Sequence, residues 1–249
     1  MVQVRRPPLV PGGLADDPRA NRLLAGLAPG DYAALVPYLR PVRLRPGQTL
    51  IGAGEPVQRV WFPHDCVVSL LSHLEDGRTA ETGIIGREGV VGFVSALGGG
   101  EALVHTVVHV PGTAWCLERG RFRAAFDARP GVREACLRFA GALVAKVLQS
   151  VACNAHHPAR GRLARWLLAL RDRTGRDAFP LTHEQLAGML GVQRTTVTEV
   201  LHALEAEGLV RCRRGAVEIA DRAGLERIVC ECRAIVKEQY ERLLPGAFG

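Results

Sequence analysis

The stretch LTHEQLAGMLGVQRTTVTEVLHALEAEGLV, residues 181–210, constrains this chain more than any other. Thr182 followed three residues on by Gln185 is a capping box, in which each side chain satisfies a backbone N–H of the other. A helix therefore starts there, with Leu186, Ala187 and Leu190 facing inward. Gly191 can take the left-handed conformation that ends it. Val192 is buried after the turn, and Gln193 or Arg194 opens a second helix, with Val197, Val200, Leu201 and Leu204 at i, i+3, i+4 and i+7. Gly208 stops it. Neither helix can bury its apolar stripe alone. Together, joined by a tight glycine turn, they make a helix-turn-helix.

The outward stripe of the second helix is Arg194, Thr195, Thr198, Glu199 and His202, with less charge than a solvated face usually carries. In such a unit the N-terminal part of this helix enters the major groove of DNA. Arg194 suits guanine, Glu199 suits the amino group of cytosine, and a threonine methyl suits thymine. Thr196 fits a phosphate contact, and Thr182 and Gln193, at the two helix starts, join the candidate set. After Gly208, LVRCRRGAVEIAD alternates and turns at Arg214-Gly215, which reads as a β-hairpin wing. Arg211, Arg213 and Arg214 are there either to hold flanking phosphates or as a solvated basic turn.

The charge balance agrees with a polyanionic partner without proving one: net charge is +7 over 249 residues, spread over both halves of the chain. The first twenty residues lack an apolar core and are not read as a signal peptide. No run of about 18 uncharged apolar residues is evident, so no membrane span and no membrane partner is expected. The seven cysteines are odd in number and scattered, which fits reduced thiols in the cytoplasm.

Residues 1–20 read as disordered or loosely packed. From Val42 to Leu117, short β-prone runs are cut by Pro-Gly, Gly-Glu-Pro, Asp-Gly and Gly-Arg-Glu-Gly, a pattern for a barrel or sandwich. Helix returns near Arg119. The segment 131–155 is apolar almost all round, with Val132, Cys136, Phe139, Leu143 and Val147 on one side and Leu137, Ala140, Val144, Leu148 and Val151 on another. A helix apolar on two faces is buried on two. A matching helix of a second copy is the simplest second cover, and Cys136, Phe139, Ala140, Leu143, Val144, Val147, Leu148 and Val151 are the candidate seam. Residues 156–177 read as one more helix, with Leu163, Trp166, Leu167 and Leu170 inward and Arg160, Arg162, Arg165, Arg171 and Arg173 polar.

A β-rich domain, a long helix and a winged helix-turn-helix in this order resemble the cyclic-AMP receptor/fumarate-nitrate regulator (Crp/Fnr) family of bacterial transcription factors. The 181–210 stretch is similar to that family's DNA-binding motif along its whole length, and LRPGQTLIGAGEPVQRVWF is similar to the opening of its sensor β-roll. The resemblance implies an α+β fold: a β-roll at 21–130, a dimerisation helix at 131–155 and a winged helix-turn-helix at 156–249. It implies a homodimer on a two-fold-symmetric operator, no enzymatic activity, and RNA polymerase as a further partner if the protein activates. Arg194 matches the family's guanine-reading arginine, whereas Thr195 and Glu199 depart from it, so the operator should differ from the best-known sites. The candidate effector pocket is Gly92, Phe93, Val94, Val104 and His105. Phe93 stands where nucleotide binders carry a ribose-binding Glu, and Val104 and His105 where they carry Arg and Ser, so cyclic AMP is not the expected effector. Arg78 and Arg87 are the nearest basic residues in sequence, and would supply the missing charge if the fold brought them in.

No cofactor and no metal site are expected. Cys230 and Cys232 should diverge in a strand or helix; His64, Asp65 and Cys66 share a turn; His105 and His109 share a strand face; His156 and His157 open a helix. Residues 1–60 contain no cysteine, unlike the iron-sulfur members. The alternatives are a redox-, metal- or haem-responsive regulator using Cys and His, and an effector-independent DNA binder.

Overall fold

The computed structural model describes residues 17–75 and 79–248. The loose N-terminus expected for 1–20 falls mostly outside them; Pro18–Ala20 form a 3-10 turn capped by Asp17. Helices α1 (Arg22–Ala25) and α2 (Pro29–Leu35) lead into strands β1 (Arg40–Leu44), β2 (Thr49–Ile51), β3 (Arg59–Pro63), β4 (Val67–His73) and β5 (Thr79–Ile85). A short helix α3 (Phe93–Leu97) precedes β6 (His105–Val110) and β7 (Gly112–Glu118). Helices α4 (Arg119–Ala128), α5 (Pro130–His156) and α6 (Ala159–Thr174) follow. Next come β8 (Ala178–Phe179), α7 (His183–Leu190), α8 (Arg194–Ala206), β9 (Val210–Arg213), β10 (Ala216–Ile219), α9 (Arg222–Ile228) and α10 (Cys232–Leu243).

The strands form antiparallel sheets in the orders β1-β7-β3 and β2-β6-β4-β5. Both line one core, with Val42, Val60, Phe62 and Leu117 from the first and Leu50, Val68, Ile85 and Val108 from the second. This is the expected β-roll. Its short strands follow from punctuation: Gly47 and Gly54 sit at positive φ in turns that a β-branched residue would not tolerate. In the β4–β6 pairing, Val67 faces Val110 and Val68 faces Val108, so His109 is the extra residue of a bulge. His105 and His109 consequently part company. His105 stacks on His73 at 4.0 Å, while His109 is buried against Ser69.

Long helix α5 divides the seam predicted for it. Val132, Cys136, Phe139 and Leu143 face inward and belong to the protomer's own core. Cys136, Phe139 and Leu143 are therefore withdrawn from the candidate seam: the β-roll and α10 already cover that side. The other side stays open, with Leu137 59%, Val144 56%, Leu148 65% and Val151 65% exposed. Ala140 and Val147 are half-buried at its edge. By length and composition alone α5 would also be apolar enough to cross a membrane, but it carries Lys146 and a third of its most apolar window is buried within the chain. Its apolarity serves two faces, and it carries the buried Lys146 on one of them.

Helix α6 packs Leu163, Trp166, Leu167 and Leu170 into a second core with Phe179, Leu186, Val197, Leu201, Leu204, Val217 and Leu225. Arg162 and Arg173, expected to stay on the polar side, are buried. Arg162 donates to the Leu190 carbonyl at the end of α7. Arg173 makes a 2.8 Å ion pair with Glu88, from the turn after β5, so a fully desolvated pair ties the C-terminal unit to the roll. Helix α10 then leaves the winged unit: Tyr240 and Ala247 lie in the first core, and Leu243, Leu244 and Phe248 pack against it.

Candidate nucleic-acid interface

The helix-turn-helix forms where the sequence puts it. Thr182 caps α7, and both hydrogen bonds of the capping box with Gln185 are present. Gly191 adopts φ +62°, ends α7 and lets the chain turn into α8 with Gln193 as its first flanking residue. Val197, Leu201 and Leu204 are buried, and Val200 packs against the same core. Thr182, Gln193, Arg194, Thr195, Glu199 and His202 are thereby left exposed, and Thr196 and Thr198 half-buried. Thr198 differs from expectation in one respect. Its hydroxyl donates to the Arg194 carbonyl at 3.0 Å and meets His183 Nδ1 at 2.9 Å. It ties α7 to α8, and only its methyl remains free for a base.

The wing is a hairpin with a two-residue turn at Arg214-Gly215, where Gly215 takes φ +71°. Strand order β8-β10-β9 backs it against the core. Arg211 pairs with Glu218 across the hairpin at 3.3 Å, which distinguishes it from its neighbours. Arg213 and Arg214 instead line, with Arg194, Thr182, His183 and Glu184, a concavity of about 270 Å³. The fold thus brings three guanidinium groups separated by 20 residues of chain around the two helix starts. Helix starts present free N–H groups and a positive dipole end, so this concavity favours an anion. A second, wider cleft of about 1030 Å³ lies between the β4–β5 hairpin, with Leu71 and Thr79, and the α7–α8 turn, with Gly191 and Arg194.

The candidate effector residues differ in their settings. Gly92, at φ +82°, starts α3; Phe93 is turned inward onto Phe139 at a ring distance of 5.3 Å, and Val94 points to solvent. Val104 and His105 lie at the start of β6, both half-buried. Burial, and then the neighbouring His73, hold His105 below the ordinary histidine value, so its ring is neutral at pH 7. Two arginines not singled out from sequence are nearby and are already occupied. Arg119 donates to the Ala96 carbonyl and Arg123 to the Leu97 carbonyl, closing the end of α3. Gly100, at φ +91°, holds a left-handed conformation that a side chain would strain. Arg87 donates to the Asp172 carbonyl, and Arg78 lies outside the described residues.

Where the roll, α5 and α6 meet, a buried polar cluster replaces the apolar packing. Glu81 accepts from Ser69 at 2.7 Å and from Trp166 Nε1 at 3.0 Å. Burial raises its carboxyl pKa. Lys146 is opposite; burial pushes its ammonium down to about 7, against the pull of Glu81. His109, 2.7 Å from Ser69, is pushed down to about 4 by burial. None of this was legible from sequence, because Ser69, Glu81, Lys146 and Trp166 meet only in the fold.

The cysteines expected to diverge do not. Cys230 lies in the link after α9 and Cys232 opens α10, and both meet Cys153 and His157 at the end of α5. His156 and His157 close that helix instead of opening one.

A cyclic nucleotide-binding domain model matches residues 41–129, and a Crp-like helix-turn-helix domain model matches residues 161–228. The chain is thus a sensor-type β-roll joined to a DNA-binding winged helix. It belongs to the Crp/Fnr family of transcription regulators. A CRP-like cAMP-activated global transcriptional regulator of Mycobacterium tuberculosis is 27% identical over 82% of this chain and 95% of its own length. The cyclic AMP receptor protein of Thermus thermophilus is 28% identical over 84% of this chain and 97% of its own. Among solved structures, a putative crp/fnr-family regulator from Eubacterium rectale superposes with a TM-score of 0.66 at 16% identity, covering 84% of this chain and 98% of that one.

Proposed function

We propose that the chain binds a two-fold-symmetric operator as a homodimer, reading bases through α8 and phosphates through the wing, under control of something other than cyclic AMP. The gathering of Arg194, Arg213 and Arg214 around the starts of α7 and α8 carries this reading. The open side of α5 supports the dimer. Leu137, Val144, Leu148 and Val151 recur with spacings of seven, four and three, the repeat of a two-helix seam. Cytoplasmic DNA is the partner, and RNA polymerase a further one if the protein activates.

Cyclic AMP is set aside on charge. Two relatives are named for it, yet in this chain Phe93 fills the ribose-binding place, Val104 the phosphate-binding place, and His105 is neutral at pH 7. A buried phosphate without its cation costs several kcal/mol. Footprinting with selected DNA tests the first half: two protected half-sites about one helical turn apart are expected, and uniform, salt-sensitive coverage overturns it. Calorimetry with cyclic AMP and cyclic GMP tests the second, and micromolar heat with either nucleotide overturns it.

A further inference from the structure

We propose that Cys153, His157, Cys230 and Cys232 form a closed, four-coordinate site for a single zinc ion, which staples the end of the long helix to the link between α9 and α10.

The geometry suits one ion. The four ligand atoms lie within 4.8 Å of one another. Cys153 Sγ is 3.6 Å from Cys230 Sγ, and Cys232 Sγ is 3.5 Å from His157 Nδ1. Ligands at zinc–sulfur distance on the corners of a tetrahedron stand about 3.8 Å apart. A cluster of several irons, each taking one thiolate, would spread them farther. The donor set of three sulfurs and one imidazole is a standard structural zinc set, with no corner left for water.

The surroundings fit as well. His157 Nε2 lies 3.2 Å from the Glu231 carboxylate. Donation there fixes the tautomer that leaves the Nδ1 lone pair facing the sulfurs, the carboxylate–histidine–metal arrangement. Gln149 donates to Cys232 Sγ at 3.1 Å. Zinc with three thiolates carries one net negative charge, and Arg162 and Arg165 stand close enough to act on Cys153. The Nε of each is buried with no hydrogen-bond partner. The three sulfur-bearing side chains are all buried and form a small cluster of their own, apart from the two larger cores.

Binding is a simple exchange. One zinc(II) replaces three thiol protons, which pass to solvent, and no oxidant or reductant is needed. Position gives the site its consequence. His157 is the residue just past α5, and α6 begins at Ala159, so the ion braces the elbow through which the roll and its long helix hold the winged unit.

The test uses the full-length chain, purified reduced and analysed by elemental mass spectrometry. One zinc per chain is expected, in every preparation. Cobalt(II) added to chelator-stripped protein should give the visible bands of a tetrahedral thiolate site, saturating at one equivalent. Three thiols should resist alkylation until a chelator is added. Cys230→Ser and Cys232→Ser should each hold less than about a tenth of the wild-type zinc after dialysis, while Cys212→Ser keeps it all. Because cobalt is read on the wild-type chain, a variant that misfolds leaves the answer intact. Absence of stoichiometric zinc or cobalt uptake overturns the proposal. So does a Cys153–Cys230 disulfide in the reduced-purified protein, or a brown chain carrying iron and sulfide. The test is independent of DNA, so its failure leaves the regulator reading untouched.

Discussion

Arg194 and His109 show how much a single side chain owes to its setting. Arg194 stands at the first turn of α8, exposed and next to the wing arginines. Arg194→Ala should relax discrimination at one base pair per half-site by about 1–3 kcal/mol. Arg213→Ala and Arg214→Ala should weaken all sequences alike and flatten the salt dependence. A selection experiment comparing the three variants decides; uniform loss in all of them would return Arg194 to the phosphates. His109 lies in the bulge of β6 and is kept from its proton by burial. The unfolded ring titrates near 6.5, the folded one near 4, so between those values the unfolded state binds more protons. Stability from this residue is complete above about pH 6.5 and falls as pH drops toward 4. Urea midpoints at pH 7.5 and 4.5 should differ more in the wild type than in His109→Gln, and equal differences would show that His109 is not the group responsible.

At the scale of elements, α5 is one helix with two jobs, and two substitutions separate them. Leu148→Asp places a charge on the open face, so the protomer should fold normally while sedimentation finds a monomer that has lost its operator affinity. Leu143→Ala deletes a side chain from the core and should instead cost about 2–5 kcal/mol of folding stability with the dimer retained in what folds. A folded, dimeric Leu148→Asp variant would remove this helix from the interface. The same element shows where sequence reading stops. The capping box at Thr182, the glycine stop at Gly191 and the apolar spacing of α8 are local signals, and each boundary they predict is found. The two apolar stripes of α5 were equally visible, but which one faced inward was not. That depends on α10, whose docking onto α5 no periodicity announces. Cys153 and Cys230 likewise meet across 77 residues, and the pair Cys230–Cys232 reads as divergent until the turn into α10 is known.

At the scale of the molecule, the roll and the winged unit are joined by desolvated charge as well as apolar contact. Arg173 and Glu88 are buried partners from the two units, and Arg173 also lies over the Phe248 ring at 5.1 Å. Removing one member of such a pair strands the other without water. Glu88→Ala should cost about 3–5 kcal/mol, and calorimetry should resolve two unfolding transitions where the wild type gives one. A single transition with an unchanged midpoint would mean that this pair does not couple the units. Helix α10 closes the circuit differently. Arg22, near the beginning of the described chain, donates to the carbonyl of Ala247, near its end, and Tyr240 is sealed in the core beneath them. The segment 243–248 is therefore masonry, not fringe. Substituting Ala247 or Phe248 with a charged residue would disturb the roll from behind, through the core that Tyr240 helps to seal.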